Sequence, residues 1–221
     1  MAQYYVNKKG ETMPNPLQPP WANLIPLIPV AEHSVSVAAH LWEPHFAQHG
    51  LQNHFQAIFG NNQAFRLSRG RLQNHAYPAL QQKCLEILMW GYPTGAQGNL
   101  IAAFLQNVNE IAEVAPQNLQ WPDYYNQLHN IGNLGISTIT KLAYFYAHQF
   151  DELPALILDQ KVIRVLNEGR WVGLAIPGIN YGNAPGEYLE YLQRASDIAD
   201  QLEECTTDQI ELLLFLCGEA F

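Results

Sequence analysis

Ile131-Gly132-Asn133-Leu134-Gly135-Ile136-Ser137-Thr138-Ile139-Thr140-Lys141 reads as the close of one helix, a tight turn and the opening of a second helix. Asn and Gly tolerate positive φ or a close backbone approach best, and Asn133 and Gly135 sit where the turn needs one or the other. The helix that opens near Ser137 begins with N–H groups that have no intrahelical partner and carry positive potential. A helix start of this kind is an anion site, so Asn133, Gly135, Ser137 and Thr138 are candidate contacts to a DNA phosphate. The same residues also fit an ordinary αα-hairpin, which often carries a glycine.

Farther along, Ile157-Leu158-Asp159-Gln160-Lys161-Val162 places a carboxylate eighteen residues after Lys141. Aspartate is a favoured helix N-cap, and a helix over 160–168 starts here. The apolar run Leu156-Ile157-Leu158 predicts a partly dry setting for Asp159, where a carboxylate gains chemical use.

Apolar spacing predicts further helices over 51–58, 71–90, 98–114, 121–130, 137–149, 186–203 and 207–217, and a less regular one over 31–48. Gly91-Tyr92-Pro93-Thr94-Gly95 stops the helix over 71–90, and Thr206 or Thr207 is a suitable cap for the last helix. Strand signals are almost absent; Ser34–Val37 is the one alternating run. Pro14, Pro16, Pro19, Pro20, Pro26 and Pro29 predict an extended arm, since proline lacks a donor and breaks helices. The expectation is an all-α protein with a proline-rich arm over 1–40 and one helical domain over 41–221, its helix-hairpin-helix at 121–149.

A hydrophobic content of 48% in 221 residues is enough for a sizeable core, which excludes a disordered chain. Cys84, Cys205 and Cys217 are too few and too widely spaced for a disulfide framework or a zinc pattern, and a reducing intracellular setting is the default. No signal peptide or membrane-length apolar run is visible. The net charge of −9 argues against non-specific DNA binding. Its distribution matters more: residues 187–221 hold nine acids and one base, whereas residues 1–186 hold eleven acids and ten bases. At contact distance the local bases count, because the Debye length is ~8 Å in physiological salt. They gather at Arg66, Arg69 and Arg71 and at Lys141, Lys161, Arg164 and Arg170.

The hairpin with Ser137-Thr138-Ile139, then Ile157-Leu158-Asp159, resembles the helix-hairpin-helix DNA glycosylase superfamily, and within it bacterial 8-oxoguanine DNA glycosylase-like proteins. Trp90-Gly91-Tyr92-Pro93-Thr94-Gly95 and the segment from Tyr188-Leu189 to Phe215 are also similar to that group, so that the likeness covers roughly residues 60–217. The resemblance implies an enzyme that flips an oxidised purine out of double-stranded DNA and cleaves its N-glycosidic bond, needing no metal or other cofactor. Asp159 matches the catalytic aspartate, which stabilises positive charge developing on the sugar. Members that also cut the strand, by AP lyase action, carry a lysine two residues after the last hairpin glycine; here that position is Ser137. Lys141 lies one helical turn on, and its spacing to Asp159 is close to that of the family's lysine. The glycines thus align Ser137 with the nucleophile, and the distance to Asp159 aligns Lys141.

In the same frame Trp90, Tyr92 and Phe215 are candidate walls of a base pocket, or else core aromatics. Arg66, Arg69, Arg71, Lys161 and Arg164 are candidate phosphate contacts, or else solvated side chains. The expected partner is duplex DNA bearing a damaged or modified base, and the expected setting is cytoplasmic and nucleoid-associated. The other functional class in view is a non-catalytic member that binds DNA or a protein partner.

Overall fold

The computed structural model describes residues 4–6, 12–14, 21–96, 98–169, 171, 173–202 and 204–217. Along the chain run β1 (Tyr4–Val6), β2 (Thr12–Pro14), α1 (Trp21–Leu24), β3 (Ser34–Ala38), α2 (Ala39–Gln48), α3 (Gln52–Phe59), β4 (Ala64–Ser68), α4 (Arg69–Asn74), α5 (Leu80–Gly91) and α6 (Gly98–Gln106). Then come α7 (Val108–Val114), α8 (Trp121–Asn130), α9 (Ile136–Phe145), β5 (Gln149–Phe150), β6 (Leu153–Pro154), α10 (Gln160–Glu168), α11 (Ala184–Gln201) and α12 (Thr207–Cys217). The protein is all-α apart from short two-stranded antiparallel ribbons, β1 with β2, β3 with β4 and β5 with β6. The chain divides into two compact units, Val30–Ile157 and Met1–Pro29 with Leu158–Phe221.

In the first unit, the sequence reading of a helix over 31–48 gives way to β3 followed by α2. The strand finds a partner that the sequence did not announce: Val37 pairs with Phe65 and Ser36 with Arg66. Val37 and Leu67 are buried while Ser36 and Arg66 face solvent, the period-2 alternation of a half-buried ribbon. The helix expected over 71–90 is broken after Asn74, because Pro78 disfavours helical geometry at the residue before it. The break lets Tyr77 donate to Glu86 at 2.9 Å, a carboxylate fully buried on α5. The helix expected over 98–114 is split at Asn107, and that over 137–149 ends at Phe145. Beyond it Asp151 and Glu152, with φ of 51° and 67°, close the β5–β6 ribbon by a turn with two left-handed centres.

The centre of this unit is a charge. Arg69 is 1% exposed, and its guanidinium lies 5.2 Å from the ring centre of Trp90 and 5.1 Å from that of Tyr144. It thereby ties α4 to α5 and α9, each ring contact a cation–π attraction. Arg69 Nε also donates to His33 Nδ1 at 3.1 Å, and the Arg69 N–H donates to the His33 carbonyl at 2.9 Å. The first of these bonds requires an unprotonated Nδ1. Burial, and then the positive charge of Arg69, lower the His33 pKa from its usual 6.5 to about 4.

In the second unit, α12 starts at Thr207, with Thr206 just ahead of it. The Thr206 N–H donates to Gln209 Oε1 at 2.9 Å, the reciprocal half of a capping box. Gln209 Nε2 donates to the carbonyls of Pro26 and Ile28, at 2.8 and 3.3 Å. One side chain thus caps a helix and pins residues 26–28. The extended arm predicted from the prolines is helical at Trp21–Leu24 and forms a 3-10 turn at Ile25–Leu27; Pro16, Pro19 and Pro20 lie outside the described residues.

Two outcomes follow. His33 binds its proton more readily unfolded than folded, so its contribution to stability is whole above pH 6.5 and is lost as the pH falls towards 4. Urea unfolding of His33→Gln across that range should show a shallower fall than the parent. Gln209→Ala should cost about 1–2 kcal/mol in the same assay, and Gln209→Glu, which keeps the cap but loses the two donated bonds, should fall between.

Candidate active site

α8 ends at Asn130, and the chain reverses in five residues before α9 begins at Ile136. The left-handed positions are Gly132 and Asn133, with φ of 111° and 57°. Gly135 departs from the expectation: at φ −83° and ψ 162° it is the extended N-cap of α9. Gly132 is held by space as well, since a Cβ there would lie 3.0 Å from Asn107 Nδ2 and 3.4 Å from the Ala103 carbonyl. His129 Nδ1–H donates to the Leu134 carbonyl at 2.8 Å and closes the turn. Gly135 has no side chain to cap the first turn of α9, whose N–H groups at Ile136 and Ser137 precede the first intrahelical bonds, from Thr138 and Ile139 to the Gly135 carbonyl. Asn133 is exposed at the tip.

Thr138, expected at a phosphate, is turned inward: it is 2% exposed, and its Oγ1 is hydrogen-bonded to the Tyr92 hydroxyl at 2.9 Å. Lys141 is 6% exposed. Side chains on a helix lean towards its N-terminus, so a residue one turn on reaches back over the turn before it. Lys141 Nζ accordingly donates to the Ser137 carbonyl at 3.2 Å and to Ser137 Oγ. The two alignments open in the sequence meet here, because the amine of Lys141 is delivered to residue 137. The Lys141 stem passes against Gly91, where a Cβ would lie 2.9 Å from Lys141 Cδ. The ammonium sits 5.7 Å from the ring centre of Tyr92. Gly91, Tyr92, Ser137, Thr138 and Lys141 therefore form one cluster. Sequence reasoning missed Gly91, taking it as a helix stop; the four-residue spacing of Ser137 and Lys141 was the available signal for their contact.

Asp159, in the other unit, caps α10: its Oδ1 accepts from the N–H groups of Lys161 and Val162 at 2.9 and 3.0 Å. Leu156, Ile157 and Leu158 are buried as expected, but Asp159 itself is half-buried. Its Oδ2 accepts no hydrogen bond among the described residues. Lys161 and Arg164 are exposed on α10, and the Lys161 ammonium lies 4.8 Å from the ring centre of Phe215, itself half-buried. Arg170 lies outside the described residues.

Several expected contacts are core instead. Trp90 is buried against His33, Arg69 and Phe145, which leaves no open ring face for a flipped base. Arg69 is the buried cation described above, not a phosphate contact. Arg71 is half-exposed but committed to the buried Glu86, at 3.1 Å. Arg66, on β4 and bonded to Ser34 Oγ, is exposed. The error has one physical cause: arginine is treated as solvated by default, and only tertiary packing reveals a buried partner. Among the described residues no group of three or more His, Cys, Asp or Glu side chains is set to hold a metal ion, and no helix is long and apolar enough to cross a membrane.

A search of the curated proteins and one of the solved structures found no match to this chain. A family model described as "Putative 8-oxoguanine DNA glycosylase OGG-like protein" matches residues 28–215, a span that contains the hairpin, Lys141 and Asp159. The chain therefore belongs to the 8-oxoguanine DNA glycosylase OGG-like family.

Proposed function

We propose that this protein excises an oxidised purine, 8-oxoguanine or a close chemical relative, from double-stranded DNA, and that Lys141 and Asp159 carry the chemistry. The observation that supports this most directly is the amine of Lys141, buried and held at Ser137 in the first turn after the hairpin. A neutral amine there attacks C1′ of the extruded nucleotide. The C1′–N bond to Lys141 forms as the glycosidic bond to the purine breaks, and the proton lost by the nitrogen goes to the departing base. Opening of the sugar ring at C1′–O4′, with O4′ taking up a proton from solvent, then gives an iminium, the intermediate from which a lyase cuts the strand. Asp159, with Oδ1 fixed by two N–H groups and Oδ2 open, stabilises the positive charge that develops on the sugar.

Binding follows from the same pieces. The open N–H groups of the hairpin helix and the amide of Asn133 hold a DNA phosphate, and Lys161, Arg164 and Arg66 add exposed positive charge. Tyr92 and Phe215 are the remaining aromatic candidates for contact with the extruded base, Trp90 being enclosed.

Duplexes carrying 8-oxoguanine test the reading. Base release should fall on the order of 100-fold in Asp159→Asn, the scale of losing one electrostatic stabiliser. Borohydride should trap a covalent adduct with the parent and none with Lys141→Ala. Base release that Asp159→Asn leaves unchanged would take Asp159 out of the chemistry and sink the proposal as stated, and its absence on every oxidised purine would favour a non-catalytic DNA binder.

A further inference from the structure

The cluster around Lys141 carries an inference about how the amine is aimed, and it rests on the function proposed above. A lysine stem has four rotatable bonds, and an amine free to explore them spends little time at any one point. Three observations restrict this one. Ser137 Oγ and the Ser137 carbonyl both accept from Nζ, fixing the head. The absence of a side chain at Gly91 opens the passage along which the stem lies, since a Cβ there would come within 2.9 Å of Cδ and 3.1 Å of Cε. Tyr92, anchored by its hydroxyl on Thr138, walls the ammonium on a further side at 5.7 Å. Alanine at 137 would leave the head one acceptor fewer; alanine at 91 would displace the stem while leaving both acceptors in place.

We infer that Ser137 is a positioning residue for the nucleophilic amine, and that Gly91 is the gap that lets Lys141 reach it. Serine at the hairpin position aligned with the nucleophile is then no loss of function. It is the docking point for an amine supplied from one turn downstream.

The experiment is single-turnover trapping by borohydride at a series of enzyme concentrations, on a duplex bearing 8-oxoguanine. In Ser137→Ala the plateau rate of adduct formation should fall by a factor of about 10 or more, the scale of a modest misplacement of a reacting group. The enzyme concentration giving half the plateau should not change, because Ser137 aims the amine and does not set DNA affinity. Ser137→Thr, which keeps the hydroxyl, should recover most of the rate. Gly91→Ala should lower the plateau in the same way, and thermal unfolding of each variant reports whether it folds. Adduct formation by Ser137→Ala at the parent rate overturns the inference and leaves the proposed function standing. A loss that Thr fails to restore and that tracks a fall in melting temperature also overturns it, assigning Ser137 a structural role. A parent protein that forms no adduct with any oxidised-purine duplex overturns both.

Discussion

The Arg69 guanidinium, in a residue 1% exposed, constrains how the unit Val30–Ile157 packs. Removing such a charge from water is costly, and the surroundings must answer it with oriented electrons. Arg69 finds them in two aromatic faces and one imidazole nitrogen. These partners come from the end of α5, from α9 and from the residue before β3, so satisfying the charge fixes where those segments meet. Gly91 follows Trp90 directly, and Lys141 lies one helical turn before Phe145, which packs on Trp90. The alignment of lysine stem and glycine gap is therefore set by the same packing that encloses Arg69.

The buried carboxylate Glu86 does comparable work one turn earlier on α5. Arg71, Tyr77 and Gln82 all donate to it. Burial, followed by the negative charge and hydrogen bond of Glu86, raises the Tyr77 pKa and keeps that phenol a donor. Breaks that look like interruptions of a helix, at residues 75–79, are what allow Tyr77 to reach its acceptor.

The parts of the fold legible in the sequence were those governed by local rules. The helices around the hairpin, the turn at Asn133, the cap at Asp159 and the helix start after Thr206 all follow from spacing and residue type. What was not legible depended on distant partners. β4 is five residues long and reads as a strand only once β3 lies beside it. Arg69 and Trp90 read as surface and pocket until each is seen to bury the other. The left-handed turn and the close approach fall on a different hairpin glycine from the one the sequence suggests: Gly132 takes both, beside Asn107, whereas Gly135 is the extended N-cap of α9. The candidate residues were half legible in the same sense, since Lys141 and Asp159 stand out by type and spacing, but the contact of Gly91 with the Lys141 stem leaves no sign in the sequence.

The route of the Lys141 stem has a thermodynamic consequence. Ordering a lysine side chain costs up to about 2 kcal/mol of rotamer entropy. Here the stem is already confined between Gly91 and the body of α9, with its head on Ser137, before any DNA is present. That entropy is lost when the chain folds, and a later binding step that uses the amine does not have to lose it again. A marginally less stable fold is exchanged for an amine whose direction is settled in advance.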